Sequence, residues 1–143
     1  MKAIVRRRAR IARVRRIEHA HAAAIAVAAE TRVVTLEQQS SHLGRLAVDL
    51  APTSGLMTGA TLSNAAELAD RLRRAQHSLA NTISGARAAA FEQSLARIEA
   101  RIRQESADRL ETRAHEKLAE DLERRFAHAA RAHRRGPAEE GRS

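Results

Sequence analysis

The sequence predicts an all-α fold, a long antiparallel two-helix coiled-coil hairpin. Three observations predict it. Strong helix formers dominate, with 32 Ala among 143 residues and many Arg, Glu and Leu. Apolar residues recur at heptad spacing over most of the chain. Breakers gather in two places, "APTSGLMTGA" at 51–60 and "RRGPAEEGRS" at 134–143. The chain reads as one hairpin over 1–135. Helix 1 is expected at about 3–50, the connection at 51–60, helix 2 at about 61–135 and a disordered tail at 136–143.

In helix 1, Ile4, Ile11 and Ile25 sit at heptad spacing, with Glu18 filling the gap. Val14, His21 and Ala28 fall on the neighbouring core position, and Leu36, Leu43 and Leu50 are again seven apart. The step from Ile25 to Leu36 is eleven, so a four-residue stutter is expected there. Gly44 is the weak point of this helix, costing about 1 kcal/mol relative to Ala.

Helix 2 is expected to be capped by Thr61 or Ser63. Its stripe reads Leu68, Leu72, Ala75, Leu79, Ile83, Ala86, Phe91, Leu95, Ile98, Ile102, Leu110, Leu118, Leu122, Phe126. Arg131, His133, Arg134 and Arg135 complement the negative end of the helix dipole before Gly136-Pro137. At about 1.5 Å per residue, the two helices are roughly 70 and 110 Å long.

A turn centred near residue 56 sets a register. Leu50 then meets Leu62, Leu36 meets Gln76, and Ile11 meets Arg101, each to within a turn. The Ala-rich stretch 19–29 faces the Ala-rich stretch 83–93, where Gly85 also suits close approach of the helices. Helix 1 runs out opposite about residue 108. Roughly the last 27 residues of helix 2 are then unpaired, yet Leu110, Leu118, Leu122 and Phe126 still form a stripe, which implies a partner chain. The alternative is a break near Ser106 and a third, short helix folding back.

Function classes narrow quickly. The absence of Cys removes disulfide and thiolate chemistry and is compatible with the cytosol. "GLMTG", 55–59, lacks the Gly-Lys-Ser/Thr ending of a phosphate loop. His19 and His21 do not share a helix face, and Glu111 with His115 is a lone pair without further ligands. No catalytic, cofactor or metal site is expected. The longest apolar run, "AAAIAVAA" at 22–29, is too short to span a bilayer, and polar residues separate it from the basic start, against a targeting signal.

The net charge is +9, and 24 of the 26 basic residues are Arg. The densest run is "RRRARIARVRR", with Arg6, Arg7, Arg8, Arg10, Arg13, Arg15 and Arg16. A basic helix suits acidic partners. Nucleic acid is the rival reading, as a basic coiled coil making phosphate contacts. Against it, no dimer zipper follows the run, and aromatics for stacking single strands are missing. A membrane-surface helix fits less well, because the arginines wrap most of the circumference.

The stretches "VRRRARIARVRRIEHAHAAAI" and "ARIRQESADRLETRAHEKLAEDLERRFAHAARAHRR", placed on two long helices, resemble the FliJ family of flagellar export proteins and the related injectisome stalk proteins. The resemblance covers nearly the whole chain and is one of architecture and composition. It implies a cytoplasmic coiled-coil stalk and adaptor of a type III export machine, peripheral at the inner membrane through its partners. Those partners would be the hexameric export ATPase, the export-gate membrane protein and export chaperones. The terminal end, with the run from Arg6 to Arg16 and with Leu110, Leu118, Leu122 and Phe126, is then the candidate for the ATPase ring. The other end, with Leu36, Leu43, Leu46, Leu68, Leu72 and Leu79, is the candidate for the gate.

Overall fold

The computed structural model describes residues 1–50 and 58–134. Among them are two helices and no strand: α1, Lys2–Asp49, and α2, Gly59–Arg134. They pack against each other as an antiparallel hairpin. The expected connection lies largely, and the expected disordered tail wholly, outside the described residues. α2 continues without a break through Ser106, so no third helix folds back. The N-cap of α2 is Thr58, earlier than the expected Thr61 or Ser63. Its Oγ1 accepts from the Thr61 N–H at 3.4 Å, and its carbonyl accepts from Leu62. Arg131 and His133 in the last turn of α2 lie where its dipole favours cations.

The core line of α1 differs from the expected one. The least exposed positions run Val5, Ala12, His19, Ala26, Val33, Ser40, Ala47, an unbroken seven-residue repeat. Arg8, Arg15, Ala22, Ala29, Leu36, Leu43 and Leu50 flank it as a second half-buried line. Leu36, Leu43 and Leu50 therefore continue the register of Ala22 and Ala29, and the stutter disappears. Ile4, Ile11 and Ile25 lie one position outside this line. Ala26 is 1% exposed, its neighbour Ile25 39%. Ala12, Ala26 and Ala47 are the most buried residues of the inner line because small side chains let the two backbones approach closely, which leaves Ile4, Ile11 and Ile25 on the flank.

α2 follows the same rule. Its inner lines hold Ala65, Leu72, Leu79, Ala86, Ala100, Ala107 and Ala114, with Ala69, Gln76, Ile83, Ala90, Gln104, Glu111 and Leu118 beside them. The expected stripe agrees at Leu72, Leu79, Ile83 and Ala86. It then diverges: Phe91, Leu95 and Ile98 are exposed, at positions on the opposite side of the helix from the inner lines, and Ile102 is exposed at the rim of a groove shared with α1.

The chain packs as two compact units, Ala20–Ile98 and Met1–His19 with Glu99 onward. In the first, Gln76 was expected against Leu36. Its Nε2 instead donates to the Ser40 carbonyl at 3.3 Å and lies beside Gly44, one to two turns further along α1. A Cβ at Gly44 would come within 2.9 Å of that nitrogen. The missing side chain makes room for the amide, which pins the register. Across the same unit, Arg87 donates to Glu37 Oε1 from Nε at 3.1 Å and also from Nη2. The Ala-rich stretches do meet: Ala29 borders one groove with Gly85, Ala86 and Ala89, a little further along α2 than the residue 83 expected opposite it. A Cβ at Gly85 would meet nothing within 4 Å, so close approach does not require glycine there.

Candidate partner-binding surfaces

In the unit containing both the chain start and the end of α2, the register is again later than expected. Ile11 was expected against Arg101, but it borders a groove with Ile102, Ser106, Ala107 and Leu110. Met1, Ile4 and Val5 border another with Leu110, Arg113, Ala114 and Lys117. Leu110, expected to be a free partner-binding residue, thus flanks the α1–α2 pairing. The segment of α2 beyond the level of Met1 is 118–134, shorter than the expected 27 residues and about 25 Å long. Leu118 is half-buried there, whereas Leu122 and Phe126 are 38% and 72% exposed.

The seven arginines of the basic run divide into two groups. Arg16 Nη2 lies 2.8 Å from Asp108 Oδ1 and donates to Glu111 Oε2, also at 2.8 Å. Asp108 Oδ1 itself is buried without an aligned donor, so its contact with Arg16 is a charge contact, while Glu111 takes the directed hydrogen bond. The charge of Asp108, foremost, and then that of Glu111 hold the Arg16 guanidinium above its ordinary pKa. Arg15 pairs with Glu18 at 2.7 Å and, with Arg8, is half-buried against α2. Arg6, Arg7, Arg10 and Arg13 are exposed and have no acid partner among the described residues. Spacing of three and four places Arg6, Arg10 and Arg13 on one outward side of α1. The cationic surface is therefore these four residues, not all seven.

The opposite end divides too. Leu36, Leu43, Leu72 and Leu79 are half-buried at inner positions, and Leu43 and Leu79 border a groove with Ala75 and Thr82. Their first task is to hold the helices together. Leu46 and Leu68 are 38% and 47% exposed and remain available to a partner.

Sequence reasoning missed one surface by assigning it to the core. Phe91, Leu95 and Ile98 form an outward row, with Phe91 65% exposed. The sign was in the spacing: this row is offset from the Ala line, and both cannot face α1. Among the described residues no group of three or more His, Asp or Glu is placed to hold a metal, and no helix is long and apolar enough to cross a membrane. Comparison with family models, with curated proteins and with solved structures finds no match.

Proposed function

We propose that this protein is a non-enzymatic coiled-coil stalk and adaptor of a flagellar-type III protein export apparatus. In this reading the terminal end of the hairpin engages the export ATPase hexamer. The other end, through Leu46 and Leu68, meets the export-gate membrane protein, and export chaperones are further partners. The protein would work in the cytoplasm at the inner membrane, held there by its partners. The observation that carries the reading is the continuation of α2 past α1 as a helix with Leu122 and Phe126 exposed, in the unit where Arg6, Arg7, Arg10 and Arg13 have no acid partner among the described residues. An unpaired apolar row beside a strong charge suits a protein surface better than a phosphate backbone, which has no use for the row.

Co-purification from a native lysate at moderate salt tests it. The expected result is recovery of a hexameric ATPase or a large export-gate protein. Leu122→Asp with Phe126→Asp should abolish that recovery while helicity and melting change little, since both side chains are exposed. The exposure of Arg6, Arg7, Arg10 and Arg13 also favours a second reading, a basic coiled coil that binds nucleic acid. Recovery of only ribosomes or DNA, released by nuclease, would replace the first reading with the second.

A further inference from the structure

Along 114–130, α2 carries a row at four-residue spacing: Ala114, Leu118, Leu122, Phe126, Ala130. Ala114 and Leu118 are half-buried in the hairpin, and the row then runs onto the exposed segment. It is therefore continuous with the α1–α2 packing of the same unit. Read in either direction, it is small, large, large, large, small.

Charge along the same segment is polarised. Residues 116–123 hold Glu116, Glu120, Asp121 and Glu123 against Lys117 alone. Residues 124–134 hold Arg124, Arg125, Arg131 and Arg134 and no acid. The one ion pair within the segment, Arg124 with Glu120, is long at 3.8 Å and mostly exposed, so these charges stay available.

We infer that a second copy of this chain covers the row, the two α2 ends crossing antiparallel about a two-fold axis near residue 124. Leu122 then packs against Phe126 of the partner subunit, and Leu118 against Ala130 of the partner subunit. Rows at four-residue spacing interdigitate when two helices cross in this way. The antiparallel sense sets each acidic half on a basic half, whereas a parallel pair would set like on like. A single surface satisfies both demands, as a two-fold contact requires. This inference does not rest on the export reading. Where both hold, self-pairing and docking on another partner compete for one surface.

Sedimentation equilibrium of the purified full chain at low salt tests it. The expected mass rises from 15.7 kDa toward twice that value as concentration increases. Two charge-reversed variants, E116K/E120K/E123K and R124E/R125E/R131E, should each self-associate at least tenfold more weakly, and an equal mixture of the two should recover association. The chain has no Cys, so single cysteines report the sense of pairing. A short bis-maleimide should join an Ala119→Cys chain to an Ala129→Cys chain faster than it joins either to itself. A wild-type chain that stays monomeric at every concentration, charge variants that associate like wild type, or faster like-with-like cross-links would overturn the inference. The experiment contains no other protein, so its failure leaves the export reading standing, and failed co-purification leaves the dimer standing.

Discussion

The two units use one helix pair in different ways. In Ala20–Ile98 the inner lines carry aliphatics, Leu36, Leu43, Leu72, Leu79 and Ile83, between alanines, and one amide pins the register at Gly44. In the unit of Met1–His19 and Glu99 onward they carry Arg8, Arg15, Gln104 and Glu111 between Ala12, Ala107 and Ala114. The first unit buries apolar area and is held by the hydrophobic effect. The second buries Val5 with Ala12 and Ala107 and is oriented by Arg16 between two carboxylates. The comparison teaches that the more polar pairing lies in the unit where α2 outruns α1 and exposes Leu122 and Phe126.

The sharpest way to break this comparison is to overfill the inner line of the aliphatic unit. Ala26→Leu should destabilise by about 1–3 kcal/mol in denaturant titrations followed by circular dichroism, because the close approach has no room for extra methylenes. Ile25→Leu, one residue away on the flank, should stay within about 0.5 kcal/mol. Equal effects would mean that the inner line has been misplaced.

A smaller effect separates the cross-helix ion pairs. Arg16→Ala should lower stability at low salt, and by less at high salt, because the ion pairs it breaks are solvent-screened. Arg87→Ala should cost less, since Glu37 is a single, more exposed partner. The raised Arg16 pKa fixes the pH sign. Its stabilisation is fully present below the ordinary guanidinium pKa and is lost only as pH rises through the folded value. From neutral to mildly basic pH the difference between wild type and Arg16→Ala should therefore stay flat in the same titrations.

A further contrast concerns two glycines in the helix interiors, Gly44 and Gly85. Gly85→Ala should stabilise by roughly 0.5–1 kcal/mol, because its Cβ enters open space and the helix gains propensity. Gly44→Ala should change stability by less, because the Gln76 amide must move aside and its bond to Ser40 is put at risk. Thermal melts of the two variants side by side check the difference.

Much of the fold was legible because helix formers and breakers are local signals. The two helices and the basic last turn of α2 follow from the runs of helix formers and from Arg131 without knowledge of any contact. The inner line was not legible. Hydrophobicity points to Ile4, Ile11 and Ile25, but close packing selects Ala12 and Ala26, and Ala carries little apolar weight of its own. The register failed for a related reason: the amide of Gln76 over Gly44 is a tertiary fit that no periodicity announces. At the candidate site, Leu122 and Phe126 could be read from spacing. The capture of Arg16 by Asp108 and Glu111 could not, because it depends on the same unread register.

The measurement that tests the central claim most directly is amide hydrogen exchange along α2 in the dilute purified chain. Pairing that ends near Lys117 predicts slow exchange over 100–117 and exchange at least tenfold faster over 122–134, with the latter slowing when partner protein is added. Equal protection through Phe126 in the dilute chain would mean that this segment packs within the chain, and its role as a docking element would be contradicted.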